Sequence, residues 1–390
     1  MKIMLVAAEA SGDALGAGLA QALRARRGDV TFIGVGGPKM AAEGIHSPFD
    51  IAELSIVGWL EGLRAYGRVK ARVADTVTLA VRERPDAVVL IDSWGFTIRV
   101  AKAIRAVLPG VRLIKYVGPQ VWASRPGRAK TLAGAVDHLL ALYAFDVPWF
   151  EREGLPTTVV GSQALHVDMG NADREAFRTA RVIAADAPLL LVLPGSRPSE
   201  IRLMTPVYEA AIARLKAADP SLEVVVVAAG TVAEDVTARV AAWPFRAHLA
   251  TEADKYAAMK AATVALATSG TVSTELALAG APMVIGYRFE PLSYAIMKPF
   301  FTGKYATLFN HVADAEIARE LIQSDATPDR VAEAVGRLLA DPDARATQAA
   351  RQTAALHQMG RGGEDPSAVA AEAVLRVIAG LPSSIGNTKI

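Results

Sequence analysis

Short, almost wholly apolar runs separated by longer amphipathic stretches confine this chain to a narrow set of folds. Residues 3–8, 31–35, 87–91, 112–117 and 138–142 are such runs, and 158–160 is a candidate sixth. They are too short for helices and too continuous to have a polar face, the pattern of strands covered on both sides in a parallel sheet. Between them, stretches such as 15–26 and 71–84 carry apolar residues at helical spacing. A strand–helix–strand series of this kind predicts a doubly wound α/β sheet. The series then starts again. Residues 189–193, 223–228, 263–267 and 283–287 read as strands of a second sheet, with 204–218 and 274–279 among its helices. At 390 residues the chain also exceeds the roughly 250–300 that one core supports. Two Rossmann-like domains facing a cleft are therefore expected, 1–168 and 185–354, joined through the polar stretch 166–186. Beyond about residue 327 the chain turns helical and Ala-rich (328–339, 344–357, 366–378), and 381–390 reads as a loose end.

Hydrophobic residues make up 52% and aromatics only 6%, so both cores must be built mainly from Ala, Val, Leu and Ile. A net charge of +2 gives no global electrostatic case for nucleic acid. The chain has no cysteine, which excludes disulfides, thiolate catalysis and Cys-type metal sites, and fits a reducing compartment. Met1-Lys2-Ile3-Met4-Leu5-Val6 runs straight into a strand without the pattern of a signal peptide. No apolar run approaches the roughly 20 residues of a spanning helix. A cytoplasmic protein is expected, with any membrane contact peripheral. Histidines 46, 138, 166, 248, 311 and 357 form no metal-binding spacing, so no metal is expected. Asp341-Pro342-Asp343 resembles a metal-binding Asp-x-Asp but lies in a helical connection and reads as a turn.

In open parallel sheets ligands gather at the carboxyl ends of the strands, so the strand–helix junctions are the places to look. The first reads Glu9-Ala10-Ser11-Gly12-Asp13. Its small residues allow close packing, and exposed helix amides favour an anion. Ser11 as an N-cap with Asp13 as dipole partner is the alternative. Glu9 is a carboxylate at a strand end. The second strand ends Gly34-Val35-Gly36-Gly37-Pro38-Lys39, without the acidic residue that holds a dinucleotide ribose, which counts against a dehydrogenase. Asp92 ends another strand, where catalytic groups are delivered, or caps the helix that follows. Trp122, with Arg125, Arg128 and Lys130 nearby, is either a sugar- or phosphate-facing surface or a core indole beside a solvated face.

The sharpest signal is Leu193-Pro194-Gly195-Ser196-Arg197-Pro198-Ser199-Glu200, a buried strand running into a glycine turn and a guanidinium at a helix start. Gly195 permits close approach, Ser196 and the helix amides favour negative charge, and Arg197 can grip phosphate oxygens bidentately. Ser269-Gly270-Thr271-Val272-Ser273-Thr274-Glu275 is a second such junction in the same half, with Glu275 one helical turn in. Together they suit a nucleoside diphosphate held from both sides.

In order, these motifs resemble the lipid-A-disaccharide synthase family, glycosyltransferase family 19 of GT-B fold. The matching stretches are Glu9-Ala10-Ser11-Gly12-Asp13, Gly34-Val35-Gly36-Gly37-Pro38, Val57-Gly58, Pro119, Val121-Trp122-Ala123, the run from Leu193 to Arg197 and that from Ser269 to Glu275. Pro282-Met283-Val284, Tyr287-Arg288, Glu320-Leu321-Ile322-Gln323 and Leu356-His357-Gln358 extend the match over nearly the whole chain. The resemblance implies transfer of 2,3-diacylglucosamine from UDP to 2,3-diacylglucosamine 1-phosphate with inversion, releasing UDP. It implies no cofactor and no metal, a carboxylate base (Asp92 first, with Glu9 and Asp13 as the other candidates), and last helices, here 355–380, that return to the first domain. Ser11, Gly12, Trp122, Arg125, Gly195, Ser196, Arg197, Ser269, Gly270, Thr271, Glu275, Arg288 and Asn310 are carried over as substrate- or donor-binding residues.

The departures fall mostly on the acceptor side. Asp92-Ser93-Trp94-Gly95-Phe96 stands for the family's Asp-x-Pro-Asp-Phe, so Gly95 replaces a second Asp. Gly118-Pro119-Gln120 stands for Ser-Pro-Ser, Ser124 for a second Trp, Gly161-Ser162-Gln163 for Gly-His-Pro, Leu308-Phe309-Asn310 for Leu-Pro-Asn, and Ala8 for the leading Gly. Three readings stay open: the family's transferase, a divergent paralogue with another acceptor, and a UDP-sugar-binding protein without transfer. A UDP-sugar epimerase is a further class, for which the sequence offers no pair of carboxylates. The family works on lipids at the inner leaflet. Ile56, Val57, Trp59, Leu60, Leu63 and Tyr66 recur near helical spacing beside Arg64, Arg68, Lys70 and Arg72, as on an interfacial helix. A second candidate is 294–305, with Met297, Lys298, Phe300, Phe301 and Lys304. Both stripes equally suit packing on the sheets.

Overall fold

The computed structural model describes residues 1–54 and 61–381, without the side chains of 61–66, 292 and 293. The chain divides into two compact units, Met1–Gln163 with the chain from Gly363 on, and Ala164–Gly362. In the first unit, β1 (Lys2–Ala7), β2 (Thr31–Val35), β3 (Ala87–Ile91), β4 (Arg112–Tyr116), β5 (His138–Ala141) and β6 (Thr157–Val159) form one sheet. Every pairing is parallel and the spatial order is β2-β1-β3-β4-β5-β6. The second unit repeats the plan with β7 (Leu189–Leu193), β8 (Glu223–Val227), β9 (His248–Ala250), β10 (Val264–Thr268), β11 (Met283–Tyr287) and β12 (Arg319–Ile322). Its order is β12-β11-β10-β7-β8-β9, again all parallel.

Burial explains why these runs are strands. Every residue of β3 and β7 is buried, because helices cover both faces and leave no side for a polar residue. Two apolar cores flank the first sheet. One gathers Val6, Leu90, Leu113 and Leu139, the other Ile3, Leu5, Leu19 and Ile114. In each unit the winding reverses once. The reversal lies between β1 and β3 in the first sheet and between β7 and β10 in the second. At such a point neighbouring loops leave in opposite directions and open a crevice at the carboxyl ends. Each unit thus has one geometrically privileged site.

The last helix, Pro366–Ile378, belongs to the first unit. Ala370, Ala371, Ala373 and Val374 join the core of Leu5 and Leu19. Its cap, Asp365, and Ser367 accept from Gln163 Nε2 at 3.1 and 2.9 Å. The return starts at Gly363 rather than 355. Helix Pro342–Gln358 stays with the second unit because Gln348 exchanges hydrogen bonds with the Met283 main chain at 2.8 and 3.0 Å. The expected loose end lies, apart from Leu381, outside the described residues.

Candidate active site

At the reversal of the first sheet, β1 delivers Glu9 and Ser11 and β3 delivers Asp92. Glu9, not Ser11, is the residue that precedes helix Ala10–Arg26. Ser11 lies in the first turn, where its hydroxyl donates to Asp92 Oδ2 at 3.2 Å. Gly12 is buried, and a Cβ there would meet Ala7 Cβ at 3.3 Å, so its role is close packing. Asp13 does not join the pair. It is 3% exposed, and its carboxylate accepts from Gly37 N, Lys39 N and Met40 N at 2.8, 2.9 and 3.0 Å. It therefore caps helix Pro38–Ala42 from another element, a structural task that occupies both of its oxygens.

Asp92 and Ser93 both have left-handed backbones, with φ of +48° and +37°. Such angles cost non-glycine residues of the order of 1 kcal/mol or more and persist only where surrounding contacts fix them. Here the fixing groups lie beneath. The Asp92 carbonyl accepts from Lys115 Nζ and from Thr97 Oγ1 (2.8 Å), and Lys115 also donates to Thr97 at 2.9 Å. Burial pushes the Lys115 ammonium down to about 7, against the pull of the Asp92 and Glu9 carboxylates. Lys115 was not among the sequence candidates, although a lone lysine in an apolar strand is itself a signal. Gly95, where the family has Asp, is exposed on helix Trp94–Val107.

Trp122 is 6% exposed, so it is a core residue rather than a sugar platform. Its ring meets Phe145 edge-on at 5.6 Å, and it hydrogen-bonds Asp146, whose carboxyl burial pushes up to about 7. Arg125 is exposed with φ +52°. Arg128 lies over the Trp94 ring at 5.3 Å.

At the reversal of the second sheet, the two glycine junctions follow neighbouring strands. Thr268, at the end of β10, donates to Pro194 O at 2.8 Å, and Thr231 after β8 donates to Ser196 O at 2.8 Å. One expectation fails. Ser196 N and Arg197 N do not face outward; both donate to Glu200 Oε2, at 2.9 and 3.3 Å. Glu200 is buried, also takes Arg197 NH1 at 3.0 Å, and closes a capping box. The cationic end of the loop is then the Arg197 side chain, which is 72% exposed. Glu200 was not among the sequence candidates, although an acid at the third position of a helix is itself a capping signal.

Ser269, Gly270 and Thr271 follow β10, with Gly270 and Thr271 exposed. Glu275 is fixed by Lys255 Nζ (3.0 Å) and Tyr256 OH (3.1 Å), both on Oε1. Arg288 is anchored to Ala326 O at 2.8 Å. Asn310 is corrected to a structural role. It is wholly buried, and its amide makes four hydrogen bonds, to Ala318 O, Glu320 Oε1, Ile317 N and Ala318 N. That exhausts the capacity of its two donors and both acceptor lone pairs. Among the described residues no cluster of three or more His, Asp or Glu is arranged to hold a metal.

Two parallel six-stranded sheets, each wound both ways and each with its junction residues at the reversal, define the GT-B class of α/β fold. Solved structures of that form include the S. aureus MnaA–UDP co-structure (TM-score 0.61, 16% identity, covering 99% of this chain and 100% of that one). The glycotransferase of kitacinnamycin has a TM-score of 0.59 at 16% identity, covering 96% and 98%. At the level of sequence the match is closer. The chain is 45% identical over 378 residues to a lipid-A-disaccharide synthase of Rhodospirillum centenum, covering 96% of this chain and 94% of that one. It is 43% identical over 381 residues to that of Paramagnetospirillum magneticum, covering 97% and 98%. The family model for lipid-A-disaccharide synthetase matches residues 3–374. The chain belongs to the lipid-A-disaccharide synthase family, and it is a glycosyltransferase that uses a sugar-nucleotide donor and a sugar-phosphate acceptor.

Proposed function

We propose that the donor is UDP-2,3-diacylglucosamine, held by the second unit, and that the acceptor is 2,3-diacylglucosamine 1-phosphate, addressed by the first. The acceptor hydroxyl attacks the anomeric carbon, the bond from that carbon to UDP breaks, and the hydroxyl proton passes to Asp92. Arg197 meets the diphosphate, backed by Arg288, and Glu275 accepts ribose hydroxyls. Charge on the departing UDP is balanced by these cations, without a metal. The observation that carries this reading is the Asp92 carboxylate at the reversal of the first sheet, on a strained turn and paired with Ser11. Glu9 is the second candidate base.

The test is to incubate the protein with both lipids and weigh the products. A disaccharide with one UDP released per transfer is expected. Donor bound without UDP release would overturn the reading in favour of a binding protein. Gly95→Asp is the companion variant. With Asp92 as base, it changes the rate by less than about tenfold, whereas a gain of 10² or more would mean that a base is missing at Gly95.

The chain is also proposed to sit peripherally on the inner leaflet. No helix among the described residues is long and apolar enough to cross a membrane. The side chains of the stripe from Ile56 to Tyr66 lie outside the described residues. The second stripe supports the idea: Ile296, Phe300 and Phe301 are exposed, beside exposed Lys298 and Lys304.

A further inference from the structure

We infer that Lys115 is a positioning residue for the transfer, which acts through the Asp92 main chain to fix the direction of the Asp92 carboxylate. The inference rests on the reading of Asp92 as the base.

A lysine inside a strand needs a reason. Lys115 is 2% exposed and pairs in register with Leu90 of β3, between buried Ile114 and Tyr116. Methionine would fill that space with no ammonium to desolvate. The described polar partners of the Nζ atom are Asp92 O and Thr97 Oγ1, and the charged groups facing it are the Asp92 and Glu9 carboxylates. Thr97 repeats the pattern from the neighbouring helix. It is buried on helix Trp94–Val107, and its hydroxyl reaches both Asp92 O and Ser93 O, at 2.8 and 3.0 Å.

Two buried side chains from two elements thus hold consecutive carbonyls of the one turn whose backbone is doubly left-handed. Without those donors, Asp92 and Ser93 gain by relaxing to negative φ. Rotation there swings the Asp92 side chain away from Ser11, and a base displaced by about 1 Å loses rate steeply. Lys115 does not touch the reacting atoms. It holds the backbone that aims them.

The experiment is a double-mutant cycle read in kcat and in donor KM, using Lys115→Met, Asp92→Asn and the pair. Asp92→Asn should lower kcat by about 10² or more. Lys115→Met should lower kcat at least about tenfold and leave donor KM within about twofold, because the donor residues lie in the other unit. In the Asp92→Asn background the lysine change should cost less than about twofold, since the group it aims is gone. An undiminished kcat in Lys115→Met, an equal loss in both backgrounds, or a loss expressed in donor KM would overturn the inference alone. An active Asp92→Asn would instead remove the reading of Asp92 as base. Should Lys115→Met fail to fold, Thr97→Val keeps shape and charge while removing one clamp. It should show a smaller loss with the same dependence on Asp92, and independence from Asp92 there would equally overturn the inference.

Discussion

Asp146 and Lys115 are buried ionisable groups of opposite sign, and burial drives each toward its neutral form. Asp146 is held above its ordinary value, at about 7. Its contribution to stability is therefore present at low pH and is lost as pH rises through about 7. Lys115 is held below its ordinary value, so its contribution is present at high pH and is lost as pH falls through about 7. Asp146→Asn keeps an acceptor for Trp122 and removes the titration. The variant should melt higher than the parent near about pH 8, and the gap should narrow as pH falls and close near about pH 4, where the carboxyl is protonated in the unfolded chain too. A gap that stays constant across that range would show that Asp146 does not titrate in it. At this scale the sequence revealed which residues stand at strand ends, and Asp92 and Arg197 are there. Their partners were hidden because they arrive from elsewhere. Asp13 is claimed by amides at 37, 39 and 40, Asn310 by a loop at 317 and 318, and the Asp92 carbonyl by a lysine on the next strand.

Elements were most legible where both faces are covered, since continuous apolar runs such as 87–91 and 189–193 admit little else. The edge strands β9 and β12 carried no such mark. Their residues are mostly half-buried or exposed, as in Arg319-Glu320-Leu321-Ile322, because an edge is covered incompletely. The turn after β7 was legible as a glycine junction, but its internal wiring was not. Gly195 has φ +123°, and a Cβ there would stand 2.6 Å from Glu200 Oε2 and 2.7 Å from Glu200 Cβ. Gly195→Ala should therefore expel Glu200 from the loop amides. The expected result is a fall in stability of about 1–3 kcal/mol and a donor KM raised severalfold, as Arg197 loses its brace. Calorimetry and donor titration would measure both, and an unchanged KM would detach Arg197 from donor binding.

For the whole molecule, the alternating pattern foretold two doubly wound sheets but not the strand orders, which depend on where each crossover lands. Those orders decide that the junctions after β1 and β3, and after β7 and β10, become neighbours. Membrane attachment belongs at this scale too. If basic side chains near the first stripe draw the protein to an anionic leaflet, Arg64→Glu with Arg68→Glu should weaken binding to phosphatidylglycerol vesicles by about tenfold or more in low salt. Unchanged binding would turn attention to Phe300 and Phe301. The return of helix Pro366–Ile378 to the first unit has a consequence in time. A ribosome that has made residue 163 has begun that unit without being able to close it. Ala17, Leu19 and Ala20 wait for Ala370 and Val374 while the whole of Ala164–Gly362 is translated. The half that starts first therefore finishes last, and the nascent chain carries an open apolar face through most of its synthesis, the period in which aggregation threatens most.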